Sequence, residues 1–78
     1  MVIFMVSNLG KRLKELRLSR KLKQSDMADL LDISTNSYQR YELEKREPNL
    51  TTLILLADYF NVSTDYLLGR TDNPKLYK

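Results

Sequence analysis

Thr35, Asn36, Gln39 and Arg40 crowd into six residues of the chain. At 3.6 residues per turn they share one face of a helix. Each ends in a hydroxyl, amide or guanidinium that donates hydrogen bonds. Asn and Gln pair bidentately with the edge of adenine, and Arg with that of guanine. A protruding helix lined in this way fits a duplex major groove ~12 Å wide. The alternative is a solvated helix face, which more often carries Glu and Lys.

Catalysis fits this chain poorly. It has no His and no Cys. That removes the usual general base, the thiolate nucleophile, the disulfide scaffold and the usual zinc ligands. No carboxylate pair stands beside a plausible nucleophile, so the reading is not an enzyme, with no catalytic site, metal, cofactor or small-molecule substrate. A chain of 78 residues makes one domain, with little room for a pocket of ~300 Å³ or more. The 42% hydrophobic and 29% charged residues are ordinary globular usage and argue against disorder.

Charge is unevenly placed within the formal net of +3. Between Gly10 and Lys23 stand seven bases and one acid, Glu15; between Gln24 and Leu68 stand three bases and eight acids. A basic cluster beside a mixed body suits a polyanionic partner, or simply a solvated helix face. The run Val2-Ile3-Phe4-Met5-Val6 is too short for a signal h-region or a membrane span. It reads as an apolar arm over 1–7 that docks on its own domain, forms a dimer contact or serves as a leader, and Met5 is a second candidate start. The expected location is cytoplasmic, without a membrane partner.

Five short helices must position the polar face. Leu9, Leu13 and Leu16 fall at i, i+4, i+7 behind a Ser7 or Asn8 cap, predicting a first helix to about Leu18. Met27, Ala28, Leu30 and Leu31 form the inner face of a second helix starting near Gln24. Asp32 sits at a turn position with φ > 0, Ile33 plugs the gap below it, and Ser34 caps a third helix over about 35–43. Tyr38 and Tyr41, three apart, read mainly as core. Pro48 breaks the chain and Asn49 caps a fourth helix with Leu53, Ile54, Leu56, Ala57 and Phe60 inward. Ser63 caps a fifth, stopped by Gly69. The expected fold is all-α, a compact five-helix globule over 8–69 with a flexible polar tail over 70–78.

The run from Leu9 to Arg70, through LKQSDMADLLDIS, the pair Tyr41-Glu42, KREPNL, LADYFNVS and YLLGR, resembles the helix-turn-helix domain of phage repressor, Cro and XRE-like transcription regulators. The resemblance implies a repressor-like DNA-binding fold used as a homodimer on a near-palindromic operator in double-stranded DNA. It places Thr35, Asn36, Gln39 and Arg40 against bases, and Gln24, Ser37, Tyr41, Lys45 and Arg46 near phosphates. It implies a partly buried ion pair, Arg17 with Glu42. The fourth and fifth helices, with Tyr66 and the tail, are the expected dimer surface, with the arm as rival.

Three positions depart from the pattern. Asp32 and Glu44 stand where Gly is usual, and Lys23 replaces a Ser or Thr cap. The charge of Glu44 is expected to face the phosphate side. The competing class is a helical protein–protein interaction module, antitoxin-like or anti-repressor-binding, with weak or no DNA binding.

Overall fold

A computed structural model describes residues 8–75. The arm at 1–7, the Ser7 cap candidate and residues 76–78 of the expected tail lie outside the described residues. Among the described residues there are five helices and no strand: α1 (Leu9–Ser19), α2 (Gln24–Leu31), α3 (Thr35–Glu42), α4 (Leu50–Phe60) and α5 (Thr64–Leu67).

Local chemistry sets most of the boundaries. Ser34, Asn49 and Ser63 each accept the backbone N–H three residues on, at 3.1, 2.8 and 3.0 Å, and so start α3, α4 and α5. Lys23 has no acceptor to offer α2, but the Asp26 carboxylate reaches back to the Lys23 N–H at 2.8 Å. The expected lost cap is therefore half restored, with Asp26 also favourably placed in the first turn. Asp32 and Asn61 adopt φ of 56° at the ends of α2 and α4, a conformation that Asp and Asn tolerate better than most side chains. Gly69, at φ 78°, ends the α5 turn where a Cβ would fall 2.8 Å from that of Asn8.

The Asn8 cap is a correction. Its backbone carbonyl accepts from Arg12 N at 2.9 Å, but its side chain caps nothing. The free N–H of Gly10 is taken instead by the Glu44 carboxylate. Glu44 thus points at the positive end of α1, a contact that the sequence expectation did not include. That contact, at a φ of 60°, offsets part of the strain of a side chain where Gly is usual. Gly10 itself is needed, because a Cβ there would overlap the carbonyl oxygen of Glu42 at the close crossing of α1 and α3.

The core joins all five helices through Leu13, Met27, Tyr38, Leu56 and Leu67, with Leu9, Ala28, Tyr41, Ala57, Phe60 and Val62 around them. Ala28 leaves room for α3 to cross α2 after the three-residue connection 32–34. Two residues expected inward face out, Ile54 and Leu30. Leu53, Leu56, Ala57 and Phe60 follow i, i+3, i+4, i+7, and Ile54 lies ~100° off that stripe. Residues 70–75, expected in the flexible tail, are tied to the body. Arg12 stacks 3.9 Å above the Tyr66 ring, pairs with Asp72 at 2.8 Å and reaches Thr71 O, while Ser63 N–H donates to Pro74 O at 3.1 Å. Arg12, one of the seven bases between Gly10 and Lys23, is therefore a clamp.

Candidate nucleic-acid interface

The outward face of α3 is built by what the inward face buries. Tyr38 is fully buried and Tyr41 is 5% exposed, the two rings meeting edge to face at 6.3 Å. With those two rings fixed inward, helical geometry sends Thr35, Asn36, Gln39 and Arg40 outward, and all four are exposed. Ser37 is partly buried, its hydroxyl accepting from Ser34 Oγ at 3.0 Å. Tyr41 thus packs its ring into the core.

After α3 the chain turns through Leu43 and Glu44, with Lys45 N–H donating to Arg40 O at 2.9 Å. This turn holds Lys45 and Arg46 in solvent beside the last turn of α3. Among the described residues Arg40, Lys45 and Arg46 form no ion pair. Three cations without an ion pair, with Thr35, Asn36 and Gln39 beside them, make a surface suited to an anionic, donor- and acceptor-rich ligand, though Glu47 shares the turn.

Beneath it lies a polar anchor. Arg17 Nε donates to Glu42 Oε2 at 2.7 Å and Nη2 to Oε1 at 3.2 Å, a bidentate fork, while Nη1 donates to Leu22 O at 2.9 Å. Gln24 Nε2 donates to Glu42 Oε1 at 3.1 Å. The ion-paired side chains keep only 10% and 4% of their surface exposed. The Tyr38 hydroxyl lies buried beside them, outside hydrogen-bonding geometry with any described residue. Burial, then the Glu42 carboxylate, push the Tyr38 phenol above its ordinary 10.0, so it stays neutral. Burial alone would raise the Glu42 carboxyl, but hydrogen bonding, Arg17 foremost, outweighs it and holds it below the ordinary 4.5. The Glu42 hydrogen bonds in turn raise the Arg17 guanidinium. One carboxylate at the end of α3 therefore fastens that helix to α1 and to the first residue of α2.

The sequence expectations missed Gly10, the contact that Glu44 makes with it, and the clamp formed by Arg12. The adjacent Gly in a Leu-rich helix was the only cue to the first, since a Gly inside a helix costs ~1 kcal/mol and marks a close approach. Among the described residues no group of His, Cys, Asp or Glu is placed to hold a metal ion, and no helix is long and apolar enough to cross a membrane.

The chain is similar to known proteins over most of its length. This chain is 44% identical over 68 residues to the HTH-type transcriptional regulator ImmR of Bacillus subtilis, covering 87% of this chain and 54% of that protein. It is 47% identical over 62 residues to the SPbeta prophage-derived uncharacterized HTH-type transcriptional regulator YonR of the same organism, covering 80% and 57%. It is 37% identical over 62 residues to the cryptic phage CTXphi transcriptional repressor RstR of Vibrio cholerae, covering 80% and 55%. The chain thus spans about half the length of these curated relatives. The helix-turn-helix family profile matches residues 13–67, from the first helix to the end of the fifth, and the chain belongs to that family.

Proposed function

We propose that this chain is a sequence-specific DNA-binding transcription regulator, a cytoplasmic repressor acting as a homodimer on a near-palindromic operator. The observation that carries the reading is the outward face of α3, where Thr35, Asn36, Gln39 and Arg40 stand clear of the body. In this reading they meet base edges in the major groove, and Ser37, Lys45 and Arg46 hold the backbone alongside. Gln24 sits at the start of α2, where free N–H groups favour an anion, and its side chain also braces Glu42. Tyr41 packs its ring into the core, and in this reading its hydroxyl tip reaches a phosphate. The names of the relatives, regulators and a phage repressor, point the same way.

Two recognition helices about one duplex turn apart, ~34–36 Å, require a second copy. Tyr66, expected in the dimer surface, is covered by Arg12. The exposed apolar face that remains on α4 is Ile54, Leu55 and Tyr59, joined by Leu30 of α2. Arg20 stands over Tyr59 at one edge of this face and Asp58 lines it, and in this reading the two-fold pairing sets Arg20 of each copy toward Asp58 of the other. Ile54→Lys should convert the dimer to monomers in sedimentation equilibrium while leaving the circular-dichroism spectrum intact.

A salt titration on a random-sequence duplex tests the DNA reading. Binding should fall linearly in log K against log[salt] with a slope near −0.9 per phosphate neutralised. Absence of binding to any duplex at low salt would instead favour the protein-binding class. Gln24→Ala should weaken cognate and random duplexes alike, by roughly five-fold for one lost hydrogen bond of ~1 kcal/mol. A loss confined to the cognate duplex contradicts its backbone role.

A further inference from the structure

One buried polar group beneath the α3 face carries no hydrogen bond. Tyr38 is fully buried, and among the described residues its hydroxyl is the buried side-chain polar atom that finds no partner. An orphan of this kind costs stability, so its retention calls for a reason. A phenylalanine would fill the same space without the penalty.

What stands beside it supplies the reason. The hydroxyl lies close enough to Glu42 and Arg17 to feel both charges. Glu42 already accepts Arg17 Nε on Oε2, and both Arg17 Nη2 and Gln24 Nε2 on Oε1. Two donors fill the lone pairs of Oε1, which leaves that atom nothing for a phenol. Of these donors Gln24 is the one free to leave. Arg17 is held by its fork and by Leu22 O at 2.9 Å, whereas the half-buried Gln24 side chain holds Glu42 by a single bond at 3.1 Å.

We propose that Tyr38 is a positioning residue for Gln24, its hydroxyl donating to Glu42 Oε1 once the Gln24 amide has turned from that oxygen to a phosphate. The inference rests on the phosphate contact proposed for Gln24 and supplies what that contact requires. Turning Gln24 away takes one donor from a buried carboxylate, and the phenol replaces it. The unmet need of the hydroxyl before binding and that of the carboxylate after it cancel. Glu42 thus keeps its full set of donors in both states, and α3 stays fastened to α1 while Gln24 holds the duplex. The competing arrangement is a Gln24 amide that bridges carboxylate and phosphate through its two N–H groups, and in it the hydroxyl does nothing.

Tyr38→Phe in the full chain separates these. In thermal melts without DNA it should match or exceed the parent, since it removes an unpaired hydroxyl and keeps the ring. In fluorescence anisotropy at low salt it should weaken binding to a random-sequence duplex by roughly five-fold, the size of one lost hydrogen bond. In a Gln24→Ala background the same substitution should change affinity by less than about two-fold, because the step it serves is gone. Unchanged affinity of Tyr38→Phe overturns the proposal in favour of the bridging amide. An equal loss in both backgrounds overturns it as a general distortion of α3. A melting temperature below that of the parent shows the hydroxyl already paired in the free protein and overturns it too. Each of these results leaves the DNA reading standing, whereas a parent that binds no duplex overturns both.

Discussion

Glu42→Ala lowers the melting temperature by roughly 12–24 °C, the largest loss expected from any single charged side chain here. The carboxylate receives the Arg17 fork and the Gln24 amide in a site that leaves it 4% exposed. Removing it strands a buried guanidinium, which costs about 3 kcal/mol, the low end for a buried pair because Arg17 keeps some solvent contact. In a domain of this size each kcal/mol moves the midpoint by ~4–8 °C. Glu44→Ala should cost less, since it removes one accepted N–H bond at the start of α1 and relieves none of the core. Thermal melts of the two variants check the order. Acid adds a second signature. The folded Glu42 carboxyl is held below its ordinary 4.5, so its contribution is fully present above that value and is lost as pH falls through the folded pKa. In Glu42→Gln that component of the acid-induced fall disappears, which melts between pH 7 and pH 3 would reveal as a flatter curve.

Asn36→Ala costs about 1–3 kcal/mol on the cognate duplex, about a 5- to 150-fold loss of affinity, and leaves random duplex within roughly two-fold. Asn36 is exposed and its amide offers one donor edge and one acceptor edge, the pattern adenine complements. Truncation leaves the melting temperature near that of the parent, because nothing in the fold rests on this side chain. Fluorescence anisotropy on both duplexes measures the difference. Equal losses on the two would remove Asn36 from the reading set.

What the sequence disclosed tracks how local the causes are. The caps at Ser34, Asn49 and Ser63 and the left-handed Asp32 are decided within three or four residues, and each was legible. The exposed face of α3 followed from Tyr38 and Tyr41 turning inward. Ile54 and Leu30 were misplaced because neighbouring apolar residues on a short helix straddle two faces, and only the partner helices decide which face is covered. The Glu44–Gly10 contact joins residues 34 apart and the Arg12–Asp72 pair residues 60 apart. No periodicity encodes such distances. Tyr41 was ambiguous for a related reason, since one ring serves as core wall and polar handle at once, and only the assembled core shows that its ring is a wall.

The account depends on α3 reading base edges from two copies at once. Selection of bound duplexes from a random pool by the full chain measures that directly. The account predicts enriched, near-palindromic sites with half-site centres ~10–10.5 bp apart, and an altered base preference when Asn36 or Arg40 is replaced. A pool that emerges without enrichment, or the same enriched sequence from parent and both variants, would contradict it.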